Sequence, residues 1–381
     1  MKRVLLGAAA VFLLLGITPR ANAVLTFSVG TPFTDGTPLC GTTKGKPAGD
    51  DGSFVVTDFN MLHSDTEEGD ASLEERLPVM VDALEASNAD VFGLEEVTAN
   101  TKHGVVAARV AALLSARTGT QWWYCFSRSN PHVPLTPDLE DGGGNSLDNA
   151  AAAMGNFPAS GDFAEGVAIV SRYPIVRAKF RRDLPRSYEA AACLNADPFC
   201  RLDATFDARQ VLYARIKTPQ GGLDSFVTHL AHGITPLSTT TKQLQARQAA
   251  ALVDKWSNPN DALPDILFGD MNSTPKSAAI RTYAAAGLVD TYGISGAPEC
   301  KTLGGAGCSG NPWAGEESYT KVPTRHMSSR IDYILARAPK GCALRVPMSR
   351  MIGNVPTKRA DGRYVWPSDH NGFVSHIACA R

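Results

Sequence analysis

The chain has 381 residues, 44% of them hydrophobic and 20% charged, with 37 Lys and Arg against 38 Asp and Glu for a net charge of -1. That balance is typical of a globular enzyme with ample core material, and it excludes a disordered or fibrous chain. The charge is spread unevenly. Asp65, Glu67, Glu68, Asp70, Glu74 and Glu75 make an acidic cluster, and Arg325, Arg330, Arg337, Lys340, Arg345, Arg350, Lys358, Arg359 and Arg363 make a basic final segment. Such asymmetry permits an anionic partner without specifying one.

The N-terminus reads as a cleaved export signal over residues 1–23. Lys2-Arg3 is its basic start, Val4 to Ile17 its apolar run, and Ala21-Asn22-Ala23 its cleavage site. No later apolar run is long enough to span a bilayer, so the expectation is a soluble, secreted chain with no stable membrane anchor. Residues 24–52 then form an N-terminal extension, and 53–381 a single domain.

Within that domain, Phe54 to Leu62 reads as a first strand, and the periodicity of Leu73, Leu77, Met80, Val81 and Leu84 predicts a helix over 73–87. Asp90 to Val97 is a second strand, Val105 to Arg117 a second helix, and Gln121 to Phe126 a third strand. Ser129 to Asp162 is rich in Pro, Gly, Asn and Ala and reads as an insertion. Strands follow at 166–171, 211–216 and 225–230, then a helix at 240–256. The run Ile266-Leu267-Phe268 is a core strand that ends in Gly269-Asp270-Met271-Asn272. A short helix at 278–286, a Gly-rich loop through 304–310 and strands at 330–336 and 372–378 complete the chain. This order predicts a mixed α/β layered fold.

Eight cysteines suit an oxidising compartment. Cys193 with Cys200, and Cys300 with Cys308, have the spacing of local loop disulfides. The pairing of Cys40, Cys125, Cys342 and Cys379 stays open. No C-x-x-C or H-E-x-x-H marks a zinc site.

Polar residues recur where these strands end: Asn60, Glu95-Glu96, His229, Asp270 with Asn272, Asp332 and Asp369-His370. Singly, each has the look of a turn or a cap. Side chains alternate along a strand, so Asp270 and Asn272 are expected to point the same way, and only one of Glu95 and Glu96 to join a common site.

The segments "FNML", "LEEV", "GVAIVSRYPI", "VTHL", "GDMN", "RIDYIL" and "SDH" follow one another in the order found in the endonuclease/exonuclease/phosphatase superfamily, which the chain resembles from about Ser53 onward. The resemblance implies a deoxyribonuclease I-like α/β fold, a four-layer sandwich of two β-sheets flanked by helices, with a divalent metal at one edge. Position by position, it implies that Asn60, Glu96 and Asp369 hold the metal. Asp270 and Asn272 would orient water and phosphate, His229 would contact the phosphate, His370 would be the catalytic histidine with Asp332 as its partner, and Arg209 would bind the substrate. Glu95 departs from the pattern, since the family usually has Gln there.

The residue chemistry is consistent with this. Glu96, Asp270, Asp332 and Asp369 crowd four carboxylates that repel unless a cation sits among them. Oxygen donors suit Mg2+, with Mn2+ and Ca2+ as further fits. The expected activity is a secreted, metal-dependent phosphodiesterase, foremost an endonuclease cutting DNA or RNA. Arg209 and the basic run Arg177, Lys179, Arg181, Arg182 and Arg186 favour nucleic acid as partner. One alternative is a sphingomyelinase-type phospholipase C or another phosphoesterase. The sphingomyelinase branch carries Lys-Gly where Arg209-Gln210 stands, and an aromatic membrane hairpin. Trp122-Trp123 are aromatic, but their strand context favours core packing. Another alternative is a non-catalytic binding protein on the same scaffold, which the full set of competent residues argues against.

Overall fold

The computed structural model describes residues 38–49, 54–62, 71–100, 103–129, 164–182, 209–233, 236–302, 304–312 and 323–380. The export signal, all of the insertion beyond Ser129, Arg186 and the Cys193–Cys200 pair lie outside them.

Two sheets stack face to face. The first has strands β1 (Leu39–Thr42), β2 (Val55–Asn60), β3 (Val91–Asn100), β4 (Gly104–Val105), β5 (Trp123–Arg128), β6 (Ala164–Ser171), β15 (Ala343–Ile352) and β18 (Gly372–Ala380). Their order is β1-β5-β6-β3-β2-β18-β15, with β4 beside β3. The second has β7 (Ile175–Arg182), β8 (Gln210–Thr218), β9 (Gly221–Thr228), β10 (Asp265–Asp270), β11 (Val289–Asp290) and β14 (Asp332–Arg337), in the order β11-β14-β10-β9-β8-β7. Two small hairpins stand apart, β12 (Gly310–Pro312) with β13 (Met327–Ser329) and β16 (Thr357–Lys358) with β17 (Tyr364–Val365).

Helices α1 (Leu73–Ser87) and α2 (Val106–Thr118) cover the outer face of the first sheet, and α3 (Pro236–Trp256) and α4 (Ala278–Ala285) that of the second. α5 (Thr291–Ile294) is a single turn after β11. The four expected layers are present. Helix α1 starts in the Ser72–Glu75 capping box and ends at Asn88 in the left-handed region, φ 53°. Its buried stripe, Leu73, Leu77, Met80, Val81 and Leu84, is the one that the periodicity predicts.

Alternation explains the apolar run of β10. Ile266 and Phe268 face the layer between the sheets, while Leu267 faces α3 and α4. Gly93 on β3 is required by that packing. A Cβ there would come within 2.2 Å of Phe268, so the sheets could not approach so closely behind the site.

Three disulfides lie among the described residues: Cys40–Cys125, Cys300–Cys308 and Cys342–Cys379. The 300–308 expectation is met, and the other two staple β1 to β5 and β15 to β18. Trp122 is 4% exposed and stacks on Phe92 at 5.4 Å, as core packing requires.

The basic run, a candidate nucleic-acid stretch by its sequence, lies largely on strand β7. There Arg177 donates to the Tyr213 hydroxyl, and Lys179 lies over the Trp256 ring of α3. These two cations are engaged on the outer face of the second sheet.

Candidate active site

The carboxyl ends of β2 and β3 in one sheet meet those of β9 and β10 in the other, as both pairs run parallel. β14 begins at Asp332, directly opposite Asp270, and the Asp369-His370 turn precedes β18. Polar residues at these ends therefore converge on one rim of the sandwich.

Asn60 is fully buried at the end of β2. Its Nδ2 donates to Glu96 Oε1 at 2.7 Å and to Asp270 Oδ2 at 3.2 Å, which ties the two sheets together. Its Oδ1 accepts from the Leu62 N–H at 3.0 Å. Asp270 is 2% exposed. Burial first, and then the Asp332 carboxylate, push its carboxyl up to about 7, against the opposing pull of His370 and the Asn272 N–H.

The expectation of strand parity fails at Asn272. Regular geometry stops at Asp270, and Asn272 takes a left-handed φ of 45°. Its N–H turns back onto Asp270 Oδ1 at 2.8 Å, which reproduces an Asx-type turn. The amide side chain still reaches the site, 3.0 Å from His229 Nε2, by way of this turn.

Regular strand geometry also breaks at the Glu95-Glu96 pair, and only Glu96 joins the converging ligand atoms. The β3–β6 register slips between Leu94 and Val97, and Glu96 has φ 52°. This bulge aims Glu96 at the rim. Glu95 does not turn away to an unrelated face. It is fully buried beneath the site against Asp58. Burial is the main force raising the two, joined by Asp332 at Asp58 and by Asp58 at Glu95. Both carboxyls are thus held toward their protonated forms.

His370 is 7% exposed, and its Nδ1 lies 3.0 Å from both oxygens of Asp332. Burial would lower this imidazole, but Asp332, Asp369 and Asp270 together hold it well above the ordinary histidine value. With Nδ1 donating to Asp332, Nε2 faces Asp270 Oδ2 at 3.7 Å. His229 behaves in the opposite way. Burial and the Arg209 guanidinium hold it well below the ordinary value, so it is neutral. Arg209 can only donate, so Nδ1 accepts at 3.0 Å, while the Asn272 amide nitrogen lies 3.0 Å from Nε2 on the other side of the ring. His229 Nε2 is 3.6 Å from Asp270 Oδ2.

Glu96, Asp270 and His370 each offer one ligand atom, and these atoms lie within 4.8 Å of one another. The Asn60 side chain bridges two of these residues. The half-buried Glu96 and the buried Asp270 supply carboxylate oxygens that fit a hard divalent cation, with the Asn60 amide beside them. Asp369 stands at the margin of this group. It is half-buried, and its Oδ1 accepts from the Ser368 hydroxyl at 3.2 Å.

Several supporting residues carry no signal in the sequence, because they act across long chain separations. Lys242 on α3 donates to the Asn272 carbonyl at 2.7 Å and to that of Gly233, pinning the turn. Arg76 is 2% exposed and binds the carbonyls of Met61 and Leu62 beyond Asn60, and also that of Pro367 before the Asp369 turn. Arg325 stacks on Trp366 at 4.1 Å and donates to the Ser368 carbonyl.

A family profile described as Endonuclease/Exonuclease/phosphatase family matches residues 59–370. Among solved structures, an endonuclease/exonuclease/phosphatase from Beutenbergia cavernae superposes with a TM-score of 0.53 at 19% identity, covering 86% of this chain and 72% of that one. A mannosyl-6-phosphatase from Bacteroides thetaiotaomicron gives 0.51 at 16% identity, with 86% and 100% covered. The human Nocturnin catalytic domain with bound sulfate anion gives 0.50 at 16% identity, with 86% and 94% covered. At these identities the structures are alike in fold. No curated protein matches the sequence.

Proposed function

Because the chain belongs to the endonuclease/exonuclease/phosphatase family and is a metal-dependent phosphoester hydrolase, we propose that its substrate is a phosphodiester of DNA or RNA. We further propose that it cuts internally, and that the cation is Mg2+. Export from the cell agrees with the three disulfides Cys40–Cys125, Cys300–Cys308 and Cys342–Cys379, which persist in oxidising compartments. Among the described residues no helix is long and apolar enough to cross a membrane.

The observation that carries the reading is the row Arg209–His229–Asn272 beside the acid cluster. A fixed cation, a neutral imidazole and an amide line up beside the acids. Such a row suits the non-bridging oxygens of a phosphodiester, which bears one charge and has two ester arms. Arg209-Gln210 replaces the Lys-Gly of the sphingomyelinase branch, and Gln210 is committed to Ser127 and Ser129, with its amide donating to the Ser127 carbonyl and the Ser129 hydroxyl.

The protonation states divide the labour. Asp270, whose ligand atom lies within 4.8 Å of those of Glu96 and His370, is placed to take the proton of the attacking water. His370, kept protonated by Asp332, places a positive Nε2 against the phosphate. Arg209 and Asn272 donate to the phosphoryl oxygens as charge develops there, with His229 held between them. Glu96 and Asn60, with Asp369 beside them, would hold the cation, which when bound neutralises phosphoryl and leaving-group charge. The test is hydrolysis of plasmid DNA, RNA, sphingomyelin and bis(4-nitrophenyl) phosphate by the purified protein. Cleavage of the nucleic acids and the simple diester supports the reading, and cleavage of sphingomyelin alone replaces it with the phospholipase one.

A further inference from the structure

His370 and Asp332 come from different sheets. His370 precedes β18 in the eight-stranded sheet, whereas Asp332 opens β14 in the six-stranded one. No local backbone geometry sets the 3.0 Å between His370 Nδ1 and the Asp332 carboxylate. Yet one residue is hydrogen-bonded to both sides. Ser309 is fully buried, and its Oγ accepts from the Ile331 N–H at 3.1 Å and the Asp332 N–H at 3.2 Å. Its carbonyl accepts from the Asn371 N–H at 2.7 Å. The neighbouring Cys308 carbonyl accepts from Asn371 Nδ2 at 3.0 Å.

The Cys300–Cys308 disulfide closes this loop just before Ser309. The loop surface is flush with the imidazole: a Cβ on Gly310 would lie 3.0 Å from His370 Cε1. We propose that Ser309 is a positioning residue that sets the His370–Asp332 separation, and that the Cys300–Cys308 bond holds Ser309 in place. The proposal rests on the reading of that pair as catalytic. A pair assembled from two sheets needs such a shared anchor, because a displacement of about 1 Å is enough to cost a large part of the rate.

The test uses Ser309→Ala and Ser309→Thr in the full chain, with two readouts. The first is the downfield proton resonance of His370 Nδ1–H in histidine-labelled protein, which needs no substrate. The second is kcat and KM on bis(4-nitrophenyl) phosphate with Mg2+. Ser309→Ala is expected to shift or broaden the resonance and to lower kcat by roughly tenfold or more, with KM and the half-activating Mg2+ concentration unchanged. Ser309→Thr keeps the hydroxyl and is expected to recover both. Cys300→Ala/Cys308→Ala is expected to reproduce the Ser309→Ala effects and decides the matter if Ser309→Ala fails to fold. Cys342→Ala/Cys379→Ala, at the far end of β18, is expected to leave the resonance and kcat alone. A wild-type resonance in Ser309→Ala overturns the proposal, as does a kcat loss that only follows the fraction unfolded. If the wild type cleaves no phosphodiester, the functional reading fails separately and the resonance alone decides here.

Discussion

Binding of a divalent cation should release a proton from Asp270, and the structure sets the pH at which this happens. In the metal-free protein that carboxyl titrates near 7, raised first by burial and then by Asp332. A cation bound at Glu96 lies beside it, because the Glu96, Asp270 and His370 ligand atoms are within 4.8 Å of one another. At pH 6 about nine-tenths of Asp270 carries a proton, and at pH 8 about one-tenth. The cation must displace that proton, so its affinity should fall about tenfold from pH 8 to pH 6, or about 1.4 kcal/mol. Stability should show the same linkage. A raised carboxyl retains in the fold a proton that the unfolded chain gives up, so metal-free stability falls as pH rises from about 4 through 7. The raised His370, Asp58 and Glu95 act in the same direction. The lowered His229 opposes them, costing stability as pH falls below its unfolded value. Added cation should therefore raise Tm more at pH 8 than at pH 6. Mn2+ titrations followed by calorimetry in buffers of different ionisation enthalpy report both affinity and protons released. An affinity that stays constant from pH 6 to pH 8, with no proton released, would refute the reasoning.

Glu95→Gln should keep Tm within a few degrees and preserve metal-stimulated turnover, since an amide can replace a carboxyl that burial holds toward its protonated form; thermal melts and kcat check it. Glu96→Gln, one residue on, should lose that turnover while melting normally, because it removes the carboxylate that the bulge delivers from β3 to the rim. Arg209→Ala should raise KM for nucleic acid and flatten its dependence on salt by about one charge, as read from rates over a salt series. Breaking Cys342–Cys379 should lower stability by about 2–4 kcal/mol without changing kcat, measured by denaturant unfolding beside a kinetic assay.

The candidate site residues are legible in the sequence because they sit where an apolar strand runs out, as Asn60, His229 and Asp270 do, or just before one begins, as His370 does. Local pattern says that those strands end together, but not how the last residues turn. Asn272 arrives through a left-handed turn and Glu96 through a bulge, and both depend on a register with a partner strand far away in sequence. Asp58 has the pattern of an ordinary polar position on a strand, and only the stacking of the sheets shows it buried against Glu95. Strand β7 is hidden by its alternating Arg177, Lys179 and Arg181, the first two of which lie over aromatic rings. Strand β15 is hidden because Pro347 and its polar residues interrupt any apolar run, and its pairing with β18 slips between Arg345 and Met348. Ser309, Lys242 and Arg76 act by hydrogen bonds to distant backbone carbonyls and N–H groups, for which no sequence spacing exists.

The central claim is that the acid cluster around Glu96 and Asp270 works with a bound cation to hydrolyse phosphodiesters. Nicking of supercoiled plasmid DNA by the wild-type protein, with Mg2+ and again in excess EDTA, measures it most directly. The account predicts nicked and then linear DNA with Mg2+ and intact supercoiled DNA in EDTA. Equal cleavage in both, or none in either, would contradict it.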